Sequence, residues 1–294
     1  MKKSIIIVLA ALAFSSCCSY TVDVQAHRGG MGLMPENSIA AMLNSVSLGV
    51  NTLEMDLVVT ADGKVILSHD LYFHPRYATR PDGTSIERGD PKEYIWTMPY
   101  DSVLKYDVGM KPNKDWPQKQ CMPTVKPLLT DVIAAVENYT KENGLEPMKY
   151  NIEIKSSDGS GEGVDWPEYK QFVDVCAPVL QSCNLGDRLI IQSFDDRALN
   201  YLNEKYPDFI LSYLTRDADV DFDTFMGRLT FIPEWLSPPH ANVNAEFLAE
   251  THKRGMKLVT WTPDDPEELK RLVDLKVDAI MTNYPDRLLE IVKK

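Results

Sequence analysis

Histidines and carboxylates are concentrated in four short runs of this sequence. The runs are His27-Arg28-Gly29, Glu54-Met55-Asp56, His69-Asp70 and Glu153-Ile154-Lys155. Only five histidines occur in the chain, and two of them bracket the first acidic pair. An imidazole titrates near neutral pH, so one histidine can accept a proton while a second donates one, and carboxylate oxygens bind hard divalent cations. Together these residue types predict metal-assisted cleavage of a phosphodiester.

The acidic residues alternate with apolar ones, as on a β-strand with one apolar face. In the predicted strand Thr52–Val59, Glu54 and Asp56 share a face, and Glu153 shares one with Lys155 in a later strand. Burying like charges is costly without a cation, so we expect Glu54, Asp56 and Glu153 to hold a divalent ion. Lys155 is expected to hold a phosphate oxygen. Two alternatives stay open: the first two acids lie on a solvated edge, or Lys155 pairs with Glu153 or Asp56 and no metal binds.

His27 and His69 each lie at the end of a short predicted strand, and both are predicted to be catalytic. The sequence does not indicate which is the acid and which is the base. Glycines after His27 let the backbone approach a ligand closely. Asp70 either orients His69 or caps the following turn. The remaining histidines are predicted to be structural; they are His74, His240 and His252.

Further substrate contacts are expected from later strands. Arg28, beside His27, is a candidate phosphate ligand together with Lys155. Gln192 is predicted to hydrogen-bond the substrate, and Trp261, at a strand end, to pack on its alcohol portion. Phe194 is a third candidate substrate contact from these strands. The alternative is ordinary filling of the barrel interior, which is favoured for Phe194 when it is considered by itself.

Short apolar strands alternate with amphipathic helical stretches through most of the chain. The predicted strands are Asp23–His27, Thr52–Val59, Lys149–Lys155, Arg188–Phe194, Phe209–Tyr213, Leu229–Ile232, Lys257–Thr262 and Asp278–Thr282. The predicted helices are Ser38–Leu48, Leu128–Asn143, Pro167–Gln181, Asp195–Tyr206, Ala245–Arg254, Pro266–Leu275 and Pro285–Val292. Eight strands with intervening helices predict an α/β fold, the (β/α)8 TIM barrel.

Residues 71–124 interrupt this alternation. They are rich in Pro, Tyr, Trp, Asp and Gly, show weak periodicity, and are too many for a plain loop in a compact domain. A tight turn at Gly63 precedes a short strand, Val65–Ser68, which ends at His69. We therefore predict a barrel over residues 22–294 with a small insertion after the second strand, residues 71–124, folded over one end.

Composition limits the partners of the chain. It has 294 residues, 44% of them hydrophobic, which suits one large domain or two small ones. The net charge of −12 argues against a general nucleic-acid binder. A bound cation with Arg28 and Lys155 would supply the positive charge that a phosphodiester needs. Cys121, Cys176 and Cys183 form neither a disulfide framework nor a zinc motif.

Residues 1–17 are similar to a signal peptide of the lipoprotein type. Lys2-Lys3 precedes a short apolar run, and Ser15-Ser16-Cys17 follows it. We predict cleavage and lipidation at Cys17, with Cys18 as a less favoured site; the alternative is an ordinary secretory signal. Either way the mature protein is expected outside the cytoplasm, in the periplasm or cell envelope, with membrane attachment through the lipid on Cys17.

At these residues the chain resembles the glycerophosphodiester phosphodiesterase family. The matching blocks, in order, are His27-Arg28-Gly29, Pro35-Glu36-Asn37-Ser38, Glu54-Met55-Asp56, Thr60-Ala61-Asp62-Gly63, His69-Asp70, Glu153-Ile154-Lys155, Gln192-Ser193-Phe194, Trp261-Thr262 and Thr282-Asn283-Tyr284-Pro285-Asp286. The resemblance implies a barrel, one Ca²⁺ or Mg²⁺ on Glu54, Asp56 and Glu153, and catalysis by His27 and His69.

The resemblance also implies a reaction. A glycerophosphodiester yields glycerol 3-phosphate and an alcohol, with Arg28 and Lys155 on the phosphate. A neighbouring hydroxyl of the substrate attacks first, and water then opens the cyclic phosphate. The chain departs from the family pattern after His69-Asp70, and again where Lys126-Pro127 replaces the usual acidic continuation. These changes affect the predicted substrate choice and leave the central chemistry intact.

Other functions compete with this one. A phosphodiesterase similar to sphingomyelinase D or to phosphatidylinositol-specific lipases would use a similar barrel and release a cyclic phosphate. A lipoprotein that binds phosphorylated ligands without catalysis is a further alternative, but every matched catalytic position is filled. A metal-dependent nuclease is disfavoured because the chain is acidic.

Overall fold

The computed structural model describes residues 21–216, 218–219 and 221–293. The predicted signal segment 1–17, with Cys17 and Cys18, lies outside the described residues. Within the described part of the chain, no helix combines the length and the apolar character needed to cross a bilayer.

Eight parallel strands of the described chain close into a barrel. The strands are β1 Asp23–Ala26, β2 Thr52–Val59, β4 Lys149–Ile154, β5 Leu189–Ser193, β6 Ile210–Leu214, β7 Trp235–Ser237, β8 Lys257–Trp261 and β9 Ala279–Thr282, with β3 Val65–Leu67 antiparallel to β2. Closure occurs because β1 pairs with both β2 and β9, placing Gln25 opposite Thr52 and Asp23 opposite Ala279. The predicted TIM barrel is confirmed.

Helices surround the barrel, and several of them begin after a capping side chain. They are α1 Ile39–Leu48, α2 Tyr100–Val103, α3 Leu129–Glu142, α4 Tyr169–Ser182, α5 Asp196–Lys205, α6 Phe222–Met226, α7 Ala245–Lys253, α8 Pro266–Leu275 and α9 Pro285–Val292. The Ser38 hydroxyl accepts a hydrogen bond from the backbone N–H of Ala41, and Asp265 caps α8 in the same way. Such caps satisfy donors that have no partner inside the helix.

The strand faces separate an apolar layer from a polar interior. Leu53, Met55 and Leu57 of β2 are fully buried in the main core between barrel and helices. On the inner face, the buried Asn151 side-chain amide donates to Gln25 Oε1 at 2.9 Å. This division places the intervening residues of β2 and β4 inside the barrel.

One predicted strand is wrong, and several ends shift by a residue or two. Residues 229–232 form no strand; the sixth barrel strand is β7, three residues long and ended by a Pro-Pro pair. The apolar run ending in Ile232 resembled a strand, yet Ile232 is 64% exposed. His27 lies in a short 3₁₀ turn after β1, and Lys155 follows the last residue of β4.

The insertion, residues 71–124, has an apolar cluster of its own. Phe73, Ile86 and Ile95 are buried in it, and it packs on Val58 and Ile66 of the β2–β3 hairpin. The insertion therefore extends from one side of the hairpin that carries His69. Cys121, Cys176 and Cys183 are free, as predicted.

Candidate active site

Three buried carboxylates meet inside the barrel. Glu54 and Asp56 project from β2 and Glu153 from β4, where Asp56 and Glu153 are register partners. One oxygen of each carboxylate lies within 4.8 Å of the others. Glu54 is 1% exposed and Asp56 is fully buried, so the predicted alternative of a solvated edge is wrong.

The hydrogen bonds of these carboxylates leave at least one oxygen available to bind a cation. Glu54 accepts hydrogen bonds from the backbone N–H of Arg28 at 2.7 Å and from the Gln192 amide at 3.0 Å. Asp56 Oδ1 is buried and has no hydrogen-bond partner among the described residues. Burial and the neighbouring Asp56 charge raise the pKa of Glu54, and burial raises that of Glu153. An unpartnered carboxylate oxygen beside two acids that resist ionisation fits a hard divalent ion.

Lys155 stands next to this cluster. Its Nζ lies 2.8 Å from Glu153 Oε1 and 3.7 Å from Asp56 Oδ1, so the ion pairs that the sequence left open as an alternative are present. Burial opposes the charge of Lys155, but Glu153 and Asp56 outweigh it and raise its pKa. With Lys155 protonated, the cluster can bind a cation and still present a positive group to a phosphate.

The loop before α1 holds Arg28 in place. Its residues 35–38 were among the blocks that resemble the family, but the sequence assigned them no role. Arg28 has a left-handed backbone, with φ of 51°, and its guanidinium pairs with Glu36 at 3.0 Å. Asn37, also left-handed, donates to Asp56 Oδ2 at 2.8 Å and accepts from the Asp56 backbone N–H at 3.1 Å. The loop before α1 thus fixes both the predicted phosphate ligand Arg28 and the predicted metal ligand Asp56.

Gly29 is required by the packing of the turn that contains it. It has φ of 77°, and a Cβ there would lie 2.9 Å from the Cβ of Ala41 in α1. The glycine therefore permits close packing of the His27 turn against a helix. The expected close approach of this backbone to a ligand stays a prediction.

His27 is oriented by Asn283, which directly follows β9, the strand next to β1 in the closed barrel. Its Nδ1 lies 2.5 Å from Asn283 Oδ1, and the Asn283 amide donates in turn to Asp264 at 2.7 Å. Burial, followed by the Arg28 charge, lowers the pKa of His27 to about 3. A neutral imidazole whose Nδ1–H donates to Asn283 has Nε2 free to accept a proton.

His69 follows β3 and is about one-third exposed. Its Nδ1 lies 3.4 Å from Asp70 Oδ1, while Asp70 Oδ2 accepts from the Tyr77 hydroxyl at 2.9 Å. Burial opposes ionisation of Asp70, but His69 and Lys126 outweigh it and hold the pKa of that carboxyl well below its usual range. Of the two roles considered for Asp70, the structure supports orientation of His69.

The inner cavity has a volume of about 180 Å³. The residues around it are His27, Arg28, Glu54, His69, Glu153, Lys155, Gln192, Phe194, Leu214, Trp261, Thr262 and Met281. Nine of the ten predicted site residues line it, and the tenth, Asp56, is buried in the carboxylate cluster. The barrel thus brings residues from all parts of the sequence to one point.

A larger outer chamber, of about 690 Å³, shares His69, Glu153, Lys155, Phe194 and Trp261 with the inner cavity. Phe194 and Trp261 meet edge to face, with ring centroids 5.6 Å apart, and the Trp261 indole donates to the Ser237 carbonyl at 3.0 Å. This fixed aromatic pair lies between the two spaces. The favoured interpretation of Phe194 as mere barrel filling does not fit this position.

A family model described as the glycerophosphoryl diester phosphodiesterase family matches residues 27–287. The chain belongs to this family. A relative from Caldanaerobacter subterraneus subsp. tengcongensis, named glycerophosphodiester phosphodiesterase, is 27% identical over 92% of this chain and 98% of its own length.

Solved structures of the family share the fold. A chain from Silicibacter pomeroyi superposes with a TM-score of 0.82 at 24% identity, covering 94% of each chain. A phosphodiesterase from Oleispira antarctica, solved in complex with the product sn-glycerol-3-phosphate, superposes with a TM-score of 0.73 at 20% identity, covering 92% of this chain and 97% of that one.

Proposed function

We propose that this protein hydrolyses glycerophosphodiesters to glycerol 3-phosphate and an alcohol by acid–base catalysis between His27 and His69. The observation that carries the proposal is the placement of both imidazoles around one cavity with the carboxylate cluster. Family membership supports the substrate class. The product named for the Oleispira antarctica phosphodiesterase belongs to the same chemistry.

His27 is suited to act first as a base. Burial lowers the pKa of His27 and so favours the neutral ring, and the ring proton on Nδ1 is donated to Asn283. Nε2 therefore carries no proton and can accept one. It accepts the proton of the substrate hydroxyl next to the phosphate, and that oxygen bonds to phosphorus. His69 protonates the departing alcohol oxygen, with Asp70 holding the ring. Water then opens the cyclic phosphate with the two proton transfers reversed.

In this proposal the carboxylate cluster binds one divalent cation, either Ca²⁺ or Mg²⁺. Glu54, Asp56 and Glu153 would hold it, since hard oxygen donors suit both ions and Asp56 Oδ1 accepts no hydrogen bond from the described residues. When bound, the ion polarises phosphoryl oxygens and helps to position the reacting hydroxyl. Arg28 and Lys155 stabilise the remaining phosphoryl charge.

The two spaces suggest how the substrate lies. The inner cavity, about 180 Å³, suits the compact glycerol phosphate portion, with Gln192 and Trp261 on its walls. The alcohol then extends past Phe194 and Trp261 into the outer chamber. This orientation places the scissile bond near His69, which borders both spaces.

The test is product identification by phosphorus NMR with glycerophosphocholine and added Ca²⁺ or Mg²⁺. Wild-type protein should release glycerol 3-phosphate, and His27→Ala and His69→Ala should each lose about 10²- to 10⁴-fold in kcat. His252→Ala, which removes an exposed imidazole paired with Asp278, is the matched control and should retain activity. Near-normal turnover in either catalytic variant would contradict the assigned roles, and a cyclic phosphate as final product would favour the lipase-like alternative.

We also propose that the mature protein acts outside the cytoplasm, attached to a membrane through lipid on Cys17. The support is the sequence of residues 1–17 alone. Mass spectrometry of the N-terminal peptide from envelope fractions should find a lipidated Cys17. An intact, unmodified Met1 peptide would refute the proposal.

A further inference from the structure

Two cations at the outer chamber have no acidic partner among the residues that the structure describes. Lys92 and Arg216 are exposed at its edge, and among the described residues neither forms a salt bridge. The acids on either side of Lys92 are engaged elsewhere, because Asp90 and Glu93 both pair with Arg80. A protein with a net charge of −12 therefore presents uncompensated positive charge where the alcohol portion of its substrate would lie.

Both cations lie over aromatic rings of the chamber. Lys92 Nζ is 4.5 Å from the centre of the Tyr72 ring and 5.9 Å from that of Tyr94. The Arg216 guanidinium carbon is 5.5 Å from the centre of the Phe194 ring. An aromatic face is where a quaternary ammonium group would bind, so a cationic alcohol meets rings already covered by positive charge.

The other charged groups that line the chamber do not cancel the positive charge of Lys92 and Arg216. Glu153 is paired with Lys155 and belongs to the carboxylate cluster. Asp70 faces His69 and is hydrogen-bonded by Tyr77. The neighbouring loop 156–168 contributes Trp166 to the wall, and its carboxylates are not among the residues that line the chamber.

We propose that the outer chamber selects glycerophosphodiesters whose alcohol carries a further anionic group, such as a phosphate, over those whose alcohol ends in a quaternary ammonium. Lys92 and Arg216 are the specificity residues. A terminal phosphate carries nearly two negative charges, so the positive charges of Lys92 and Arg216 both attract it. The inference rests on the proposed function, since it assigns the alcohol to this chamber.

The experiment compares three substrates that differ on the alcohol side only. They are glycerophosphoglycerol, the same compound with a terminal phosphate, and glycerophosphocholine. Exposed ion pairs are worth roughly two- to fivefold each, so kcat/KM for the phosphorylated compound should exceed that for glycerophosphocholine by about tenfold. The difference should shrink as ionic strength rises.

The double variant Lys92→Gln/Arg216→Gln should lose about fivefold or more in kcat/KM for the phosphorylated compound and change little with glycerophosphoglycerol. Lys105→Gln/Lys141→Gln removes the same charge from exposed positions outside the chamber and should behave as wild type. Turnover of all three substrates without a charge ranking, or with a ranking that the double variant keeps, would overturn this inference alone. No turnover of any would overturn the proposed function and this inference with it.

Discussion

Glu153→Gln should separate the stability of the fold from its response to divalent ions. Burial raises the pKa of Glu153, and glutamine has nearly the same shape without the charge. The variant keeps an oxygen for the hydrogen bond from Lys155, which wild-type Glu153 accepts at 2.8 Å. Each protein serves as its own ion-free reference, so a stability change caused by the lost charge beside Lys155 is separated from the effect of an ion site that lacks one of three carboxylates.

The magnitude follows from the geometry of the cluster. Two unit charges 4.8 Å apart, the span of the cluster, interact by about 3.5 kcal/mol at an effective dielectric constant of about 20. An ion among these oxygens would lie within 4.8 Å of each of them, so one carboxylate attracts it by at least this much, and desolvation offsets part of the attraction. With a net loss of about 2.7 kcal/mol, losing one ligand charge weakens ion binding by roughly 10²-fold. At about 100 times its Kd, an ion stabilises wild type by about 2.7 kcal/mol, or roughly 5–10 °C in Tm. At that concentration the variant gains about 0.4 kcal/mol, or about 1 °C.

The ion effect should also depend on pH, with a defined sign. The raised pKa values of Glu54 and Glu153 favour protonation of the folded protein. Their contribution to ion-free stability is present below the usual glutamate pKa and is lost as pH rises through the raised values. Because the ion must displace these protons, its stabilisation should be larger at about pH 8 than at about pH 5.

The assay is thermal unfolding of chelator-treated protein, with and without Ca²⁺ or Mg²⁺, at both pH values. Glu142→Gln, an exposed change of equal charge on α3, should keep the full ion-dependent shift. An undiminished shift in Glu153→Gln would refute the assignment of this carboxylate. Absence of any shift in wild type would refute the cation site itself.

Two further predictions concern buried polar groups around the histidines. Burial lowers the pKa of Lys126 to about 8, so Lys126→Met should raise the free energy of unfolding at pH 7 by about 1–3 kcal/mol, and the gain should fade above pH 8, where the folded wild-type lysine is neutral. Denaturant titration at pH 7 and above pH 8, with the exposed Lys105→Met as control, measures this difference in the free energy of unfolding. A loss of stability in Lys126→Met at pH 7 would contradict the prediction. Asn283→Ala removes the acceptor of His27 and should lower kcat by about 10- to 100-fold; Asn283→Asp should shift the acidic limb of kcat/KM to higher pH, because a carboxylate favours the imidazolium. An unchanged pH profile in Asn283→Asp would show that this bond does not tune His27.

Local patterns in the sequence were sufficient for the elements and for the identity of the metal-ligand candidates. Alternation within a strand places Glu54 and Asp56 on one face whatever the strand packs against. Helix ends were predicted closely where a capping side chain marks them, as at Ser38 and Asp265. The strand predicted at residues 229–232 was wrong, because an apolar run does not reveal whether it has a neighbour to pair with.

Other features depend on contacts between distant parts of the chain. His27 is held by Asn283 only because β1 and β9 pair to close the barrel. Lys126 was noted as a departure from the family pattern, but its burial beside Ser68 and Tyr77 depends on how the insertion returns to the barrel. No local pattern encodes such contacts.

Spacing along one strand or helix decides which side chains share a face, since backbone geometry repeats over a few residues. That is why the sequence by itself determined the alternating strands and helices of a barrel and the pairing of acids on its inner side. Distance between separate elements depends on closure, loop path and burial, which arise only when the whole chain packs. The tertiary structure alone therefore decided the protonation of His27, the support of Asp56 by Asn37, and the positive charge of the outer chamber.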